Sequence, residues 1–335
     1  MNYNDLTLNF LRSEYLDKNT TLDVPYKMYH INIGGNRMYL KLEDGKVKLF
    51  VGNTSFIKAV MPTSEILQKW KADMGWDESI KYMNERASFG SFMHSLYGEF
   101  VRLGSVDLDT IEENLHDYMI ANGVNIALKR EWIPEMKTAV LCFAQFIIDY
   151  EVKFLVIEMP LASEQMGIAT LLDCVVEMNE SKYTEKTPPE KRKRILAIGD
   201  FKSGKNFYPE HAVQLESSRQ MWEENFPMIP ISRLFNFAPK DFTGNIPSYN
   251  YKDQTDSVDL HAFNMYLELG KMYIEKRKNK VVRVSHGVVQ MGKSPKDNFT
   301  DRPIIDIATE LHVKHLEQLE ADYKPHAVLI NENEE

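Results

Sequence analysis

The chain has 335 residues, of which 43% are hydrophobic, and its 40 basic and 49 acidic side chains give a formal net charge of −9. This length allows a substantial core in one elaborated domain or two, and no apolar run approaches the length of a membrane span. The polar start lacks the charged and apolar regions of a signal peptide, and two cysteines provide neither a disulfide framework nor a zinc motif. We therefore expect a soluble, cytoplasmic protein without a membrane partner.

The first 60 residues favour an accessory layer. Residues 1–23 favour a short helix. Alternating apolar residues over 38–51 predict a hairpin that turns at Asp44-Gly45.

Three helices are predicted between this layer and the next group of strands. Thr63-Ser64 is suited to cap a helix that runs through Trp70. Residues 87–103 form the second helix, in which the small Gly90 allows close backbone approach one turn from His94. Helical spacing of apolar residues over 134–150 predicts the third, which begins with a proline and packs on a sheet.

Three short apolar runs, each followed by a carboxylate, have the pattern of buried strands. These runs are Phe154 to Ile157 before Glu158, Thr170 to Leu172 before Asp173, and Ile195 to Gly199 before Asp200. An ionisable group in such a place is costly without a partner. Because residues i and i+2 of a strand face the same side, we expect Asp200 and Lys202 to share a cleft while Phe201 turns into the opposite layer. Carboxylates from neighbouring strands would then form an oxygen cage of the type that Mg²⁺ prefers.

The remaining segments complete an alternation of helices and strands. A polar connection is predicted over residues 177–190, a helix over 209–226 and a strand over 231–237. Two further helices are predicted over 258–278 and 304–321, with a strand over 281–289 between them. The tail from residue 331 is predicted to be frayed.

The motifs around the carboxylates resemble those of the RecB-like branch of the PD-(D/E)xK nuclease superfamily, particularly its phage and recombination exonucleases. The family's Gly-x-x-x-His helix is similar to Gly90-Ser91-Phe92-Met93-His94. Its segment of small residues before a metal-binding aspartate is similar to residues 167–173. Its Asp-x-Lys motif is similar to Asp200-Phe201-Lys202, and Gln214 lies on the helix that follows. The likeness covers roughly residues 60–239. Two positions depart from the pattern: Gly98 stands where an acidic residue is common, and Ser218 where tyrosine is common.

The resemblance implies an α/β fold, with a central mixed β-sheet flanked by helices in a restriction-endonuclease-like core. This core would cover residues 61–245. Residues 1–60 would form an N-terminal accessory segment with a β-hairpin, and residues 246–335 a C-terminal extension of helices and strand packed on the core.

The resemblance also implies a metal-dependent DNA nuclease, in particular an exonuclease of phage-type recombination, replication or DNA processing. One or two Mg²⁺ or Mn²⁺ ions would be bound by Asp173, Asp200 and the Phe201 carbonyl, with His94 and Glu158 as further ligands or water-positioning groups. Lys202 would activate the nucleophile, and Gln214 would orient Lys202 or a phosphate. An iron–sulfur cluster is not expected, because it needs four cysteines and the chain has only Cys142 and Cys174.

The expected partner is single- or double-stranded DNA. If the protein is phage-encoded, we expect it in the cytoplasm of the host cell. Assembly into a homo-oligomer is a further expectation that the sequence leaves undecided. Because the net charge is negative, local basic clusters must contact the phosphates. The candidates are Lys191, Arg192, Lys193 and Arg194, followed by Ser203 and Lys205, with a later cluster at Lys276 to Arg283. A solvated turn after Pro188-Pro189 is an equally good interpretation of the first run.

Two alternatives belong to other functional classes. Residues Gly199 to Asn206 match the phosphate-binding loop motif G-x-x-x-x-G-K-[ST] at every position except the last. A working loop here would make the protein a nucleotide-binding ATPase. Asn206 lacks the hydroxyl that such a loop needs, and Pro209 predicts a helix start several residues too late. The other alternative is a noncatalytic DNA-binding protein that retains the nuclease fold.

Overall fold

In a computed structural model, residues 24, 26–33, 36–44, 46–183, 187–188, 191–272 and 274 are described. They form a mixed eight-stranded sheet with helices packed on it, which confirms the expected α/β class. The strands are β1 (Lys27–Ile33), β2 (Asn36–Glu43), β3 (Lys46–Gly52), β4 (Lys153–Ser163), β5 (Ile168–Asn179), β6 (Arg194–Phe201), β7 (Arg233–Thr243) and β8 (Ile246–Asp253). The helices are α1 (Asn53–Val60), α2 (Glu65–Met74), α3 (Trp76–Leu103), α4 (Ile111–Ala121), α5 (Lys129–Tyr150), α6 (Pro209–Asn225) and α7 (260–272), with a 3₁₀ turn at Ile126–Leu128.

The sheet is continuous from β1 to β8. β1, β2 and β3 form an antiparallel meander, and the end of β3 runs parallel to the start of β5. β5 is antiparallel to both β4 and β6, β6 is parallel to β7, and β8 closes this edge antiparallel to β7. The expected divisions after residues 60 and 245 therefore do not separate one sheet from another.

Two apolar cores lie on opposite faces of the sheet, and alternation along β6 assigns its residues to them. Leu196 and Ile198 belong to the core that contains residues of α6, whereas Ala197 and Phe201 belong to the core that contains residues of α3 and α5. Since i and i+2 share a face, Asp200 lies on the α6 side. The predicted separation of Asp200 from Phe201 is confirmed.

Several expected elements are confirmed near their predicted bounds. The hairpin of β2 and β3 is present, α6 begins at Pro209, and all three apolar runs lie in strands. The Ser64 hydroxyl accepts a hydrogen bond from the Leu67 N–H at 3.2 Å and caps α2. The predicted helix over 258–278 is seen over 260–272, and strand β7 continues beyond residue 237.

Other bounds were wrong. The helix expected at 87–103 is only the second half of α3. Helix α5 begins at Lys129, so Pro134 lies beyond its first turn. Its ring removes the hydrogen bond to the Arg130 carbonyl, and the helix tolerates this because Arg130 is exposed to water. Strand β5 extends to Asn179, into the segment expected to be a polar connection.

Further expectations lie outside the described residues, namely the helix over 1–23, the strand over 281–289, the helix over 304–321, the basic cluster from Lys276 to Arg283, and the tail. In the part of the chain that the structure describes, no helix is both long and apolar enough to cross a membrane.

Candidate active site

A change of neighbouring strand beside Asp173 leaves a gap in the strand pairing, and the candidate site lies at this gap. β4 pairs along one side of β5. On the other side, β3 pairs with β5 only as far as Gly52 opposite Ala169, and β6 pairs with it from Cys174 opposite Gly199. Asp173 lies between these two ladders. Where neighbouring strands diverge, side chains at the strand ends can reach a ligand without crossing the packed sheet.

Strand pairing places four polar residues in one row across the sheet. Asp200 of β6 pairs with Asn236 of β7, which pairs with Lys252 of β8. The pairing of Cys174 with Gly199 places the preceding Asp173 next to Asp200. Residues opposite each other in a ladder share a face, so Asp200, Asn236 and Lys252 face the side covered by α6.

Lys202 connects this row to α6. Its Nζ lies 2.9 Å from Asp200 Oδ1 and 2.7 Å from Oδ2. The same amine donates to Gln214 Oε1 at 2.9 Å. Because α6 starts at Pro209, its second turn brings Gln214 over the end of β6. The structure thus brings together Asp200, Lys202 and Gln214.

His94 reaches the site from α3, on the other face of the sheet. Its Nε2 donates to the Phe201 carbonyl at 3.0 Å, and the Phe201 N–H donates to Asp173 Oδ2 at 2.7 Å. His94 Nδ1 lies 3.6 Å from Asp173 Oδ1. In a neutral imidazole that donates through Nε2, Nδ1 is an acceptor, so two electron-pair donors face each other here. A cation between them would be stabilised.

Glu158 lies beside this group but is directed toward α3. The pairing of its neighbours, Ile157 with Cys174 and Met159 with Leu172, places Glu158 next to Asp173. Its backbone φ is 52°, and its Oε2 lies 3.5 Å from Arg102. A Cβ atom at Gly98 would lie 2.8 Å from that Oε2. Gly98, the departure from the family pattern, therefore leaves the space that the Glu158 carboxylate uses.

Burial dominates the electrostatics of the site. It raises the pKa of Asp173 and of Asp200 to about 6, although the Lys202 ammonium lowers both. Burial also lowers the pKa of His94, against the attraction of Asp200. Two carboxylates whose ionised forms are poorly solvated favour the binding of a further cation near neutral pH.

The donor set fits a hard divalent ion in its chemistry. The two carboxylates and the carbonyl are oxygen ligands of the type that Mg²⁺ and Mn²⁺ prefer, whereas the imidazole of His94 is a ligand type of softer transition metals. Among the described residues, however, no group of three or more His, Cys, Asp or Glu side chains is positioned to hold a metal ion. In this arrangement, hydrogen bonds from Lys202 and Asn236 engage the oxygens of Asp200. Asp173, Asp200 and the Phe201 carbonyl are the groups that would bind the ion.

The side chains around Asp200 have to be interpreted from their own geometry. No known family model matches this sequence. No curated protein matches it either.

The basic run that ends in Arg194 lies at the far end of β6. Arg194 lies six positions before Asp200, which is roughly 20 Å along a strand. Arg192, Lys193 and Arg194 form ion pairs with Glu151, Glu180 and Glu177, respectively, and Lys191 is exposed beside them. The structure does not bring this run to the carboxylates.

The segment after Lys202 does not have the geometry of a nucleotide-binding loop. Helix α6 begins at Pro209, four residues after Lys205, so its N-terminal N–H groups do not follow the Gly-Lys pair. Lys205 is exposed, and its carbonyl accepts a hydrogen bond from Asn250 at 2.7 Å. Ser203 packs against α3, where a Cβ atom at Gly90 would lie 3.3 Å from its Oγ.

Two buried amide side chains near Asp200 were not predicted from the sequence as part of the site. Asn236 Nδ2 donates to Asp200 Oδ2 at 2.7 Å, and Gln254 Nε2 donates to Asn236 Oδ1 at 2.8 Å. Both amides are almost completely buried. Asn236 interrupts an apolar strand in the same manner as the aspartates, and this signal could have identified it.

Proposed function

We propose that this protein is a metal-dependent DNA nuclease with a restriction-endonuclease-like core, and that it acts as a cytoplasmic exonuclease that uses Mg²⁺ or Mn²⁺ to hydrolyse phosphodiester bonds. The convergence of Asp173, Asp200 and Lys202 at one place in the sheet supports this proposal most directly. Buried carboxylates with raised pKa values beside a held ammonium group are a frequent feature of catalytic sites. The RecB-like motif order around these residues adds to this reasoning.

The chemistry is attack of water on phosphorus and cleavage of the bond from phosphorus to the leaving sugar oxygen. A bound divalent ion would supply charge neutralisation and lower the pKa of the attacking water. Lys202 stabilises the negative charge that develops on the phosphoryl oxygens, and Gln214 holds its amine in position. Asn236 fixes the orientation of the Asp200 carboxylate.

Digestion of labelled DNA with each metal tests the proposal. We expect degradation of linear single- or double-stranded substrates with Mg²⁺ or Mn²⁺, no degradation with chelator, and resistance of circular or end-blocked substrates if the enzyme requires an end. Cleavage of closed circles would replace the exonuclease assignment with an endonuclease one.

Two variants test the assigned residues. Asp200→Ala and Lys202→Ala should lower the cleavage rate by about 10²-fold or more while the protein remains folded. Lys153→Ala is the matched control, because Lys153 is an exposed lysine at the start of β4, where it pairs with Glu177 and not with a site residue. Unchanged cleavage by the two site variants would remove the catalytic assignment. ATP hydrolysis that depends on Lys205 more than on Lys202 would favour the nucleotide-binding alternative.

A further inference from the structure

Cations without a carboxylate partner lie on one side of the candidate active site. Lys252 ends the polar row that contains Asp200, and Lys205 follows Lys202 in the chain. Both are exposed, and neither forms an ion pair within the described part of the chain. This distinguishes them from the run at Arg194, which acidic side chains neutralise. Cations that are not neutralised by the protein are available to an anionic ligand.

His211, on the first turn of α6, adds a neutral hydrogen-bond donor beside these cations. Its Nδ1 accepts the Tyr208 N–H at 3.2 Å, so the proton of a neutral ring is on Nε2. Burial, together with the charges of the nearby Lys202 and Lys252, lowers the pKa of His211 to about 3. Within the described residues, no hydrogen-bond acceptor occupies Nε2. A ligand oxygen that approaches Lys202 and Lys252 would therefore meet an N–H group as well.

An exposed aromatic ring stands next to this donor. Tyr208 is 45% exposed, and its ring meets the His211 ring edge to face at 5.5 Å and 76°. Phe207 contacts the His211 ring in a similar orientation at 6.5 Å. Since Tyr208 is held by an edge contact and remains exposed, its ring is available for stacking with a nucleobase.

We propose that Tyr208, His211 and Lys252 form a subsite for the nucleotide next to the scissile phosphate in a single DNA strand. Lys252 and the His211 Nε2–H bind its phosphate, and Tyr208 stacks on its unpaired base. The single-stranded form follows from the base contact, because a paired base in a duplex has both faces covered by its neighbours. This subsite rests on the proposed function and defines the substrate of the same site.

Fluorescence anisotropy with a labelled single-stranded oligonucleotide of about 12 nucleotides tests the subsite, with the full chain and with Ca²⁺ replacing Mg²⁺. Tyr208→Ala should raise the dissociation constant about tenfold, whereas Tyr208→Phe, which keeps the ring, should bind as the wild type does. Lys252→Ala should weaken binding and reduce the slope of log affinity against log salt by about 0.7. His211→Ala should weaken binding with an unchanged slope, because the lost donor is neutral.

Tyr82→Ala and Lys153→Ala are matched controls, since Tyr82 is 48% exposed and Lys153 is also exposed, both outside the subsite. The subsite would be overturned if the controls lost as much affinity as the subsite variants, or if Tyr208→Ala and Lys252→Ala bound as the wild type does. It would also be overturned if the wild type bound only duplex DNA or only RNA. Wild-type protein that shows the expected binding but does not cleave with Mg²⁺ or Mn²⁺ would refute the nuclease and retain the subsite. A cleaving enzyme with unaffected variants would refute the subsite alone.

Discussion

Replacement of Asp200 by asparagine should stabilise the metal-free protein at neutral pH. Burial raises the pKa of the Asp200 carboxyl from its ordinary 3.8 to about 6, so the folded protein binds this proton more tightly than the unfolded chain does. Stability therefore falls as pH rises from about 4 to about 6 and remains lower above that range. Asparagine removes this dependence because it does not ionise.

The expected magnitude follows from the same pKa. A rise of about two pKa units corresponds to roughly 3 kcal/mol at pH 7.5. The new amide lacks one carboxylate oxygen, so a donor of Asn236 or Lys202 loses its acceptor, which costs about 1–2 kcal/mol. We expect a net gain of about 1–2 kcal/mol in the free energy of unfolding at pH 7.5.

Urea unfolding of metal-free protein between pH 4 and pH 8 measures this difference. The advantage of Asp200→Asn over the wild type should be absent near pH 4 and should grow through pH 6. Asp256→Asn is the matched control, because Asp256 is exposed, and its difference from the wild type should not follow this course. A variant that is less stable than the wild type at pH 7.5, with the same pH profile, would refute the assigned electrostatics.

Three further predictions concern the surroundings of the site. Asn236→Ala should lower the free energy of unfolding by about 1–3 kcal/mol and slow cleavage, measured by urea unfolding and DNA digestion, because Asp200 loses a buried donor; rates equal to the wild type would contradict the positioning role. Gly199→Ala should be destabilised by about 1–3 kcal/mol or more, since its Cβ would lie 2.2 Å from Phe235 Cζ. Gly204→Ala is the control, because its Cβ would lie in open space and the variant should unfold as the wild type does. Equal urea midpoints for the two variants would contradict this packing. Saturating Mn²⁺ at about 100 times its dissociation constant should raise the free energy of unfolding of the wild type by about 2.7 kcal/mol at pH 7.5, and chelator should reverse this gain. The same gain in Asp200→Asn would show that the ion binds at another place.

Local signals made much of the fold and of the candidate site predictable. Carboxylates at the ends of apolar runs identified Asp173 and Asp200, and strand alternation predicted that Lys202 lies beside Asp200. Pro209 predicted the start of α6 and with it the failure of the nucleotide-binding loop. These features depend on residues close together in the sequence, where spacing determines direction.

Features that depend on distant segments could not be predicted. The contact of Asn236 with Asp200 depends on the parallel pairing of β6 and β7, whose crossover contains all of α6. The basic run was interpreted either as a phosphate contact or as a solvated turn, but the partner of Arg194 is Glu177 on the neighbouring strand. The direction of Glu158 in β4 depends on its positive φ and on the space at Gly98 in α3. The sequence carries no local signal for such contacts.

The shared ion is tested most directly by anomalous diffraction from a crystal of the wild-type protein soaked in Mn²⁺ at neutral pH. We expect a Mn²⁺ peak in contact with the carboxylates of both Asp173 and Asp200, with Lys202 beside them. A saturated crystal without a peak between these two carboxylates, or with Mn²⁺ bound only at another place, would contradict this expectation.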